Sequence, residues 1–200
     1  MRKNKRLRIA LLVCGGVVLL AVLTVVLLSV LLPKDEPTQP SQDSGTSSIR
    51  FYPPYDGDIR TAEIYTRLDR QFYLYDANYG STDALSESAI DADPELRFLR
   101  AYFNCLIDGD AAGLRALLAS DANGFTIPDF AQQMVYDMKV TRVGETEESG
   151  DLRVTYRLEY RIQRNNGTYR RDVGSDAMRP EYLTLTKDEN GDFRIFDIRR

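Results

Sequence analysis

The sequence predicts an α+β protein: an N-terminal transmembrane helix, then a domain of two to three helices packed on a bent antiparallel sheet of about four strands. Three observations carry this. Residues Ile9 to Leu32 are 24 consecutive residues without a charge. Behind an Asp93-Pro94-Glu95 start, Leu96, Leu99, Phe103 and Leu106 recur at helical spacing. From Leu152 to Ile162 every even residue is apolar or aromatic and every odd one between them is polar, the period of a half-buried strand.

The apolar run comes first. At about 1.5 Å per residue it reaches roughly 36 Å, enough to cross a hydrocarbon core of about 30 Å with some tilt. Cys14, the Gly15-Gly16 pair, Thr24 and Ser29 interrupt it mildly. Arg2, Lys3, Lys5, Arg6 and Arg8 precede it, and Pro33-Lys34-Asp35-Glu36 follows. Excess Lys and Arg stays on the cytoplasmic side, so residues 1–8 are expected inside and the C-terminal bulk outside. A cleaved signal peptide has a shorter apolar region and a small-residue site after it, which Leu31-Leu32-Pro33 does not offer. Nor does Leu11-Leu12-Val13-Cys14 suit lipid attachment, because Val13 is bulky and most of the apolar run lies beyond Cys14.

Composition removes several chemistries. The chain has no histidine, so imidazole acid–base work, His-based triads and His metal sites are excluded. Cys14 falls in the expected span and Cys105 in the exported part, so the two do not pair. Cys105 sits among apolar residues and reads as a buried, inert thiol. The net charge is −4, and the only charges before Pro33 are the five basic ones, which leaves −9 on residues 33–200. An acidic domain of this kind does not suit nucleic acid, whose binding requires neutralised phosphates.

Residues 33–48 hold three prolines, four serines and no large apolar side chain, a flexible linker spanning roughly 20–24 Å r.m.s.. Residues 49–92 read as an irregular, aromatic-rich segment packing on the domain. Phe51-Tyr52-Pro53-Pro54-Tyr55 opens it, a helix is expected over Thr61–Leu68, and Arg70 to Asp76 resembles a short strand.

The main domain is expected over residues 93–200. Asp93 is an N-cap with Pro94 at the first helical position, and Gly109 supplies the stop. Asp110 then caps a second short helix carrying Leu114, Leu117 and Leu118 on one face. A third short helix is expected near Thr126-Ile127-Pro128-Asp129, with capping-box-like spacing.

Strands follow. Met134, Tyr136, Met138 and Val140 alternate with Val135, Asp137, Lys139 and Thr141, and Leu152–Ile162 is the longest alternating run. Asn165-Asn166-Gly167 reads as a hairpin turn. Glu181–Lys187 and Asp192–Ile198 form two more strands around Asp188-Glu189-Asn190-Gly191. In the last strand the apolar phase slips between Ile195 and Phe196, which predicts a bulge or burial on both faces.

Helices followed by a bent antiparallel sheet make an α+β layout. The Leu96–Phe103 opening, the Asp108-Gly109-Asp110 break and the terminal Asp192-Phe193-Arg194-Ile195 strand resemble the nuclear transport factor 2-like fold, also called SnoaL-like or ketosteroid-isomerase-like, a cone. More closely, Gln133-Met134-Val135-Tyr136-Asp137-Met138, Arg164 to Asp172, Ser175-Asp176 and Arg179-Pro180 resemble a group of uncharacterised membrane-anchored proteins of Gram-positive bacteria. The first resemblance implies a cone-shaped domain; the second implies no activity, and fold alone does not fix function.

Enzymes resembling this fold use a carboxylate projecting from the sheet into the cone as a general base. In the alternation of Leu152–Ile162, Glu159 faces the other way, Asp137 is out of phase with Met134, Tyr136 and Met138, and Asp129 reads as a helix-start acid. No catalytic residue, cofactor or metal site is therefore expected. A loop of mixed charge, Arg170, Arg171, Asp172, Asp176 and Arg179, is a candidate ligand-binding loop, weighed against plain salt-bridged loop structure. Tyr156 and Tyr160, two apart on the buried face, are candidate pocket-lining residues, weighed against core packing. Asn166-Gly167-Thr168 matches a glycosylation sequon that a turn also explains, and the acid pairs Asp188/Glu189 and Asp56/Asp58 lack calcium-loop spacing.

The expected function is a non-catalytic domain tethered to the bilayer through residues 9–32 and exposed outside the cell. Its expected partner is an unknown protein or a small ligand. A small-molecule enzyme of the ketosteroid-isomerase-like type, or a structural envelope component associating as a homodimer, remain as alternatives.

Overall fold

The computed structural model describes residues 48–76, 80–122, 124–148 and 151–200. The apolar run 9–32 and most of the linker lie outside the described residues. Among those described, no helix is long and apolar enough to cross a membrane.

After an extended segment, a 3-10 turn at Ile59–Thr61 leads to helix α1 (Glu63–Thr66). Strands β1 (Phe72–Asp76) and β2 (Ser81–Ala84) follow. Next come helices α2 (Glu87–Ala92), α3 (Pro94–Asp108) and α4 (Ala111–Ala116). The long strands β3 (Met134–Glu148) and β4 (Asp151–Gln163) precede β5 (Glu181–Lys187) and β6 (Phe193–Arg199). All six strands form one sheet in the order β2-β1-β3-β4-β5-β6.

This corrects the expected sheet of about four antiparallel strands. Residues 72–84 contribute two further strands, and β1 runs parallel to β3, with Leu74 opposite Val140. A polar edge strand such as Ser81–Ala84 carries no apolar alternation, and parallel pairing across some sixty residues leaves no local signal. The helix expected over Thr61–Leu68 is confined to Glu63–Thr66.

The cap of α3 follows the expected chemistry. The Asp93 carboxylate accepts from the backbone N–H groups of Glu95 and Leu96, Pro94 opens the helix, and Gly109 closes it at φ 69°. Glycine is required at position 109 for a second reason: an added Cβ would stand 2.7 Å from the Gln132 backbone nitrogen. That close approach lets the Gln133 N–H donate to the Leu106 carbonyl, so the end of α3 holds the start of β3.

No helix forms at Thr126–Asp129. The Arg115 side chain donates to the Ile127 carbonyl and pairs with Asp129, while Ile127 and Phe130 are buried. Asp129 is thus an ion-pair partner of α4 rather than a helix-start acid. Asn165-Asn166-Gly167 does turn the chain, with Gly167 at φ 70°, but it opens a long loop to Glu181 instead of a tight hairpin. Asn165 is fully buried, and its side-chain NH2 donates to the carbonyls of Arg170 and Val173. That side chain organises the loop.

In β3 the alternation breaks. Val135 is fully buried, Tyr136 only half-buried, and the register with β4 shifts between Tyr136 and Lys139, where Asp137 adopts φ 51°. The expected slip in β6 is a bulge: Thr184 pairs Asp197 while Leu185 pairs Ile195, leaving Phe196 as the extra residue. Bulges of this kind bend the strands that carry them. Between sheet and α3 the core centres on Phe103, whose ring lies 5.5–5.7 Å from those of Phe72, Tyr102 and Tyr160 in edge contacts.

Candidate functional site

The helix-covered face of β4 and β5 carries Val154, Tyr156, Leu158, Tyr160 and Ile162, then Glu181, Leu183 and Leu185, all buried. Leu158 stands opposite Glu181 in the sheet. A carboxylate therefore does project onto the covered face, from β5 and not from β4. Its signal was present: Glu181, Leu183 and Leu185 share one strand face, so burial of the two leucines implied burial of the acid.

Glu181 is completely enclosed. Its Oε2 accepts from the Tyr102 hydroxyl at 2.9 Å and from the Tyr160 hydroxyl at 2.6 Å. Its Oε1 accepts from Arg200 Nε at 2.9 Å and, more weakly, from the Tyr169 hydroxyl at 3.4 Å. The Tyr102 and Tyr169 hydroxyls lie 2.7 Å apart. One carboxylate thus gathers α3, β4, β5 and the 164–180 loop around itself.

Arg170 completes the cluster at 1% exposure. Its Nε and Nη2 donate to the two Asp172 carboxylate oxygens at 2.7 and 2.9 Å, Nη1 donates to the Tyr160 hydroxyl at 3.0 Å, and Nη2 also reaches the Arg179 carbonyl at 3.1 Å. Nη1 lies 3.7 Å from Glu181 Oε2. Two guanidinium groups and two carboxylates balance, so the buried group carries no net charge, the condition under which ions are tolerated inside a protein.

Burial first, then the charge of Glu181, pushes the Tyr102 and Tyr160 hydroxyls well above the ordinary tyrosine range. Tyr169 is raised by the same two causes. For Arg170, burial opposes the charge, but Asp172, Tyr160 and Glu181 outweigh it and raise the guanidinium further. Burial works against Asp172 as well, and its bonds with Arg170 still hold it below its ordinary value.

The candidate loop residues therefore separate. Arg170 points inward and Asp172 is its bidentate partner. Arg179 is exposed at the rim, with Nη1 3.4 Å from Asp172 Oδ2. Arg171 donates to the Gly167 carbonyl. Asp176 accepts from the Tyr136 hydroxyl at 2.8 Å on the outer side. The two candidate tyrosines do not share an environment: Tyr160 belongs to the Glu181 cluster, whereas Tyr156 bonds to Glu95 beside Arg142.

On the other face of the sheet, Glu159 is 7% exposed and pairs with Lys139 and Arg157 at 2.8 Å each. Among the described residues no cluster of Asp, Glu or Cys has the geometry to hold a metal ion.

A groove of about 790 Å³ opens between α3, the α1–β1 segment and α2, with Tyr65, Phe72, Phe103 and Met138 among its walls. Its charged side chains are engaged: Arg60 with Asp108, Arg100 with Glu87 and Asp91, and Arg70 over the Tyr65 ring at 5.4 Å. The Tyr65 hydroxyl donates to the Val135 carbonyl at 2.7 Å, and burial pushes its pKa up to about 12. Neither Glu181 nor any of the three tyrosines on it lines this groove.

No family model matches the chain, and no curated protein matches it. Among solved structures it is similar to the crystal structure of a "putative ketosteroid isomerase" from Shewanella frigidimarina NCIMB 400, at 14% identity and a TM-score of 0.37, over 53% of this chain and 93% of that one. What the chain shares with that protein is a distant likeness of fold.

Proposed function

We propose that this protein is a domain tethered to the membrane through residues 9–32, held outside the cytoplasm, which binds a small ligand or a protein partner without transforming it. The observation that carries the non-catalytic reading is the state of Glu181. A general base must come within hydrogen-bond reach of the proton it removes, and this carboxylate has no exposed surface and four donors already on it. The groove of about 790 Å³ has the size of a small-molecule site, and its own acids, Asp69 and Glu87, are tied to Tyr73 and Arg100. The uncharged run and its basic flank support the tether.

One observation favours a second reading. A carboxylate in contact with tyrosine hydroxyls is the residue set from which ketone-enolising sites are built. The test is α-proton exchange from a series of small ketones and one β,γ-unsaturated 3-ketosteroid, followed by NMR in D2O with the full chain in detergent. Exchange that disappears in Glu181→Gln would overturn the non-catalytic reading. No exchange, together with a ligand retained in native mass spectra, supports it. A stable dimer with no retained ligand would favour a structural envelope component.

A further inference from the structure

Eight large apolar or aromatic side chains are exposed among the described residues, and four of them, Ile49, Phe51, Tyr52 and Tyr55, fall within seven consecutive positions. Exposed apolar residues scattered singly need no explanation, whereas a cluster marks a surface that something covers. The stretch is fixed on the domain. The Tyr52 N–H donates to the Asn165 carbonyl at 2.9 Å. The Phe51 ring lies so close to Gly167 that an added Cβ there would stand 2.6 Å from it, and a Cβ on Gly174 would meet Ile49 at 3.8 Å. Met178, a fifth exposed apolar side chain, belongs to the same loop as these two glycines.

The patch is also basic. Arg50, Arg164 and Arg171 are exposed, and none of the three has an ion-pair partner among the described residues. Arg164 overlies the Tyr52 ring at 5.3 Å, and Arg171 donates to the Gly167 carbonyl. Of the loop's two acids, Asp172 pairs with Arg170 and Asp176 accepts from Tyr136. Residues 49–56 and 164–180 together hold five arginines against three aspartates, a net charge of +2. Residues 33–200 total −9, so the remainder of that stretch carries −11.

We propose that this patch docks on the surface of an anionic lipid bilayer, with its tyrosine rings at headgroup level and its three unpaired arginines on lipid phosphates. Tyrosine is enriched at that depth, and basic residues beside apolar ones supply the attraction to anionic lipid. Only residues 33–48 separate Ile49 from the uncharged run 9–32. With that run in a bilayer, roughly 20–24 Å of flexible chain brings this patch within reach of the headgroups first. The acidic remainder is repelled by the same lipid, which turns this face toward it. Docking rests on the tether proposed above and goes beyond it, because it fixes which face meets the membrane.

The chain has no tryptophan, so a single introduced one reports alone. The full chain carrying Tyr55→Trp is reconstituted in vesicles of equal parts phosphatidylglycerol and phosphatidylcholine brominated on its acyl chains. Docking quenches residue 55 and shifts its emission to the blue. Leu152→Trp, at an exposed position near the other end of β4 and about 36 Å away along the strand, stays unquenched. Arg50→Gln and Arg164→Asn should each lower the ratio of docked to undocked chains about fivefold; asparagine tolerates the φ of 50° at residue 164. Salt at about 1 M, where the screening length is about 3 Å, should release the patch. No quenching at residue 55, equal quenching at 55 and 152, or quenching that neither substitution nor salt weakens would each overturn the proposal. A blue shift of the same size in detergent would mean that protein covers the patch, and would overturn it as well. Retention of the chain in the vesicles at high salt reports the tether separately, so a lost tether and absent docking are distinguishable.

Discussion

Glu181→Gln removes one charge from the centre of the fold while keeping the shape of the side chain. Its cost follows from the geometry. If the new NH2 took the Oε1 position it would face Arg200, which has only donors. It therefore turns to the Oε2 position, where the Tyr102 and Tyr160 hydroxyls can rotate to accept. What rotation does not mend is the loss of the anion beside Arg200 at 2.9 Å and Arg170 at 3.7 Å. Breaking a buried pair costs about 3–5 kcal/mol when the stranded partner is wholly enclosed. Arg200 keeps 34% of its side chain exposed, and Arg170 retains Asp172, so the cost falls below that range, to about 2–3 kcal/mol. For a domain of this size about 1 kcal/mol moves the midpoint by roughly 2–4 °C, so a fall of about 4–12 °C is expected. The assay is thermal unfolding by circular dichroism on the full chain in detergent. An Arg200→Gln background should reduce the effect, because the pair is already broken. A fall of less than about 2 °C, or an unchanged effect in that background, would refute the argument that this ion pair organises the core.

Asp172→Asn should lower stability at neutral pH, and the difference from the parent should shrink as the pH falls below 3.8, the ordinary value beneath which the folded protein holds Asp172. The sign follows from linkage: a depressed acid contributes fully above its unfolded value and loses that contribution as the pH falls through its folded value. Urea midpoints measured against pH give the answer, and a difference constant down to pH 2 or so would contradict it. At the alkaline end, Tyr65 and Tyr136 are each pushed up to about 12, burial being the largest cause, and Tyr102 and Tyr160 well above 10. Raised groups contribute fully below the unfolded value and lose the contribution as the pH rises through the folded one. Phenolate absorbance from these residues should therefore appear together with loss of the circular dichroism signal, and full ionisation near pH 10 in a folded chain would refute their burial. Gly109→Ala should cost more than about 2 kcal/mol, because the φ penalty of about 1–2 kcal/mol adds to a contact of 2.7 Å with the Gln132 nitrogen. Gly191→Ala, at φ 81° with open space around it, should cost the φ penalty alone; equal losses in thermal midpoint would remove the packing argument.

The sequence by itself determined what depends on neighbours along the chain. The cap at Asp93, the stop at Gly109, the alternation from Val154 to Ile162 and the bulge beside Phe196 are local regularities, each visible within about ten residues, although Leu152 at the head of the run is exposed and Glu159 on its polar face is buried. The turn at Asp188–Gly191 belongs with them, and the Gly191 N–H donating to the Asp188 carbonyl closes it. The same local reading failed at Thr126–Asp129, where capping-like spacing was present but Arg115 from α4 takes the Ile127 carbonyl and Asp129 for itself.

Tertiary structure decided which long-range partners those elements meet. The parallel pairing of β1 with β3 gains its hydrogen bonds from residues some sixty positions apart, so composition carries no trace of it. By sequence Glu181 is only the first residue of a strand; Leu183 and Leu185 on its face point to burial, but nothing beside it in the chain supplies the partners a buried charge needs. Its partners Tyr102, Tyr160, Tyr169 and Arg200 come from four separate parts of the chain. Arg170 is the matching case: a loop arginine by sequence, it is an interior one in the fold because Asp172, Tyr160 and the Arg179 carbonyl together satisfy its donors. Burial of a charge depends on partners converging in space, and only the folded chain brings them together.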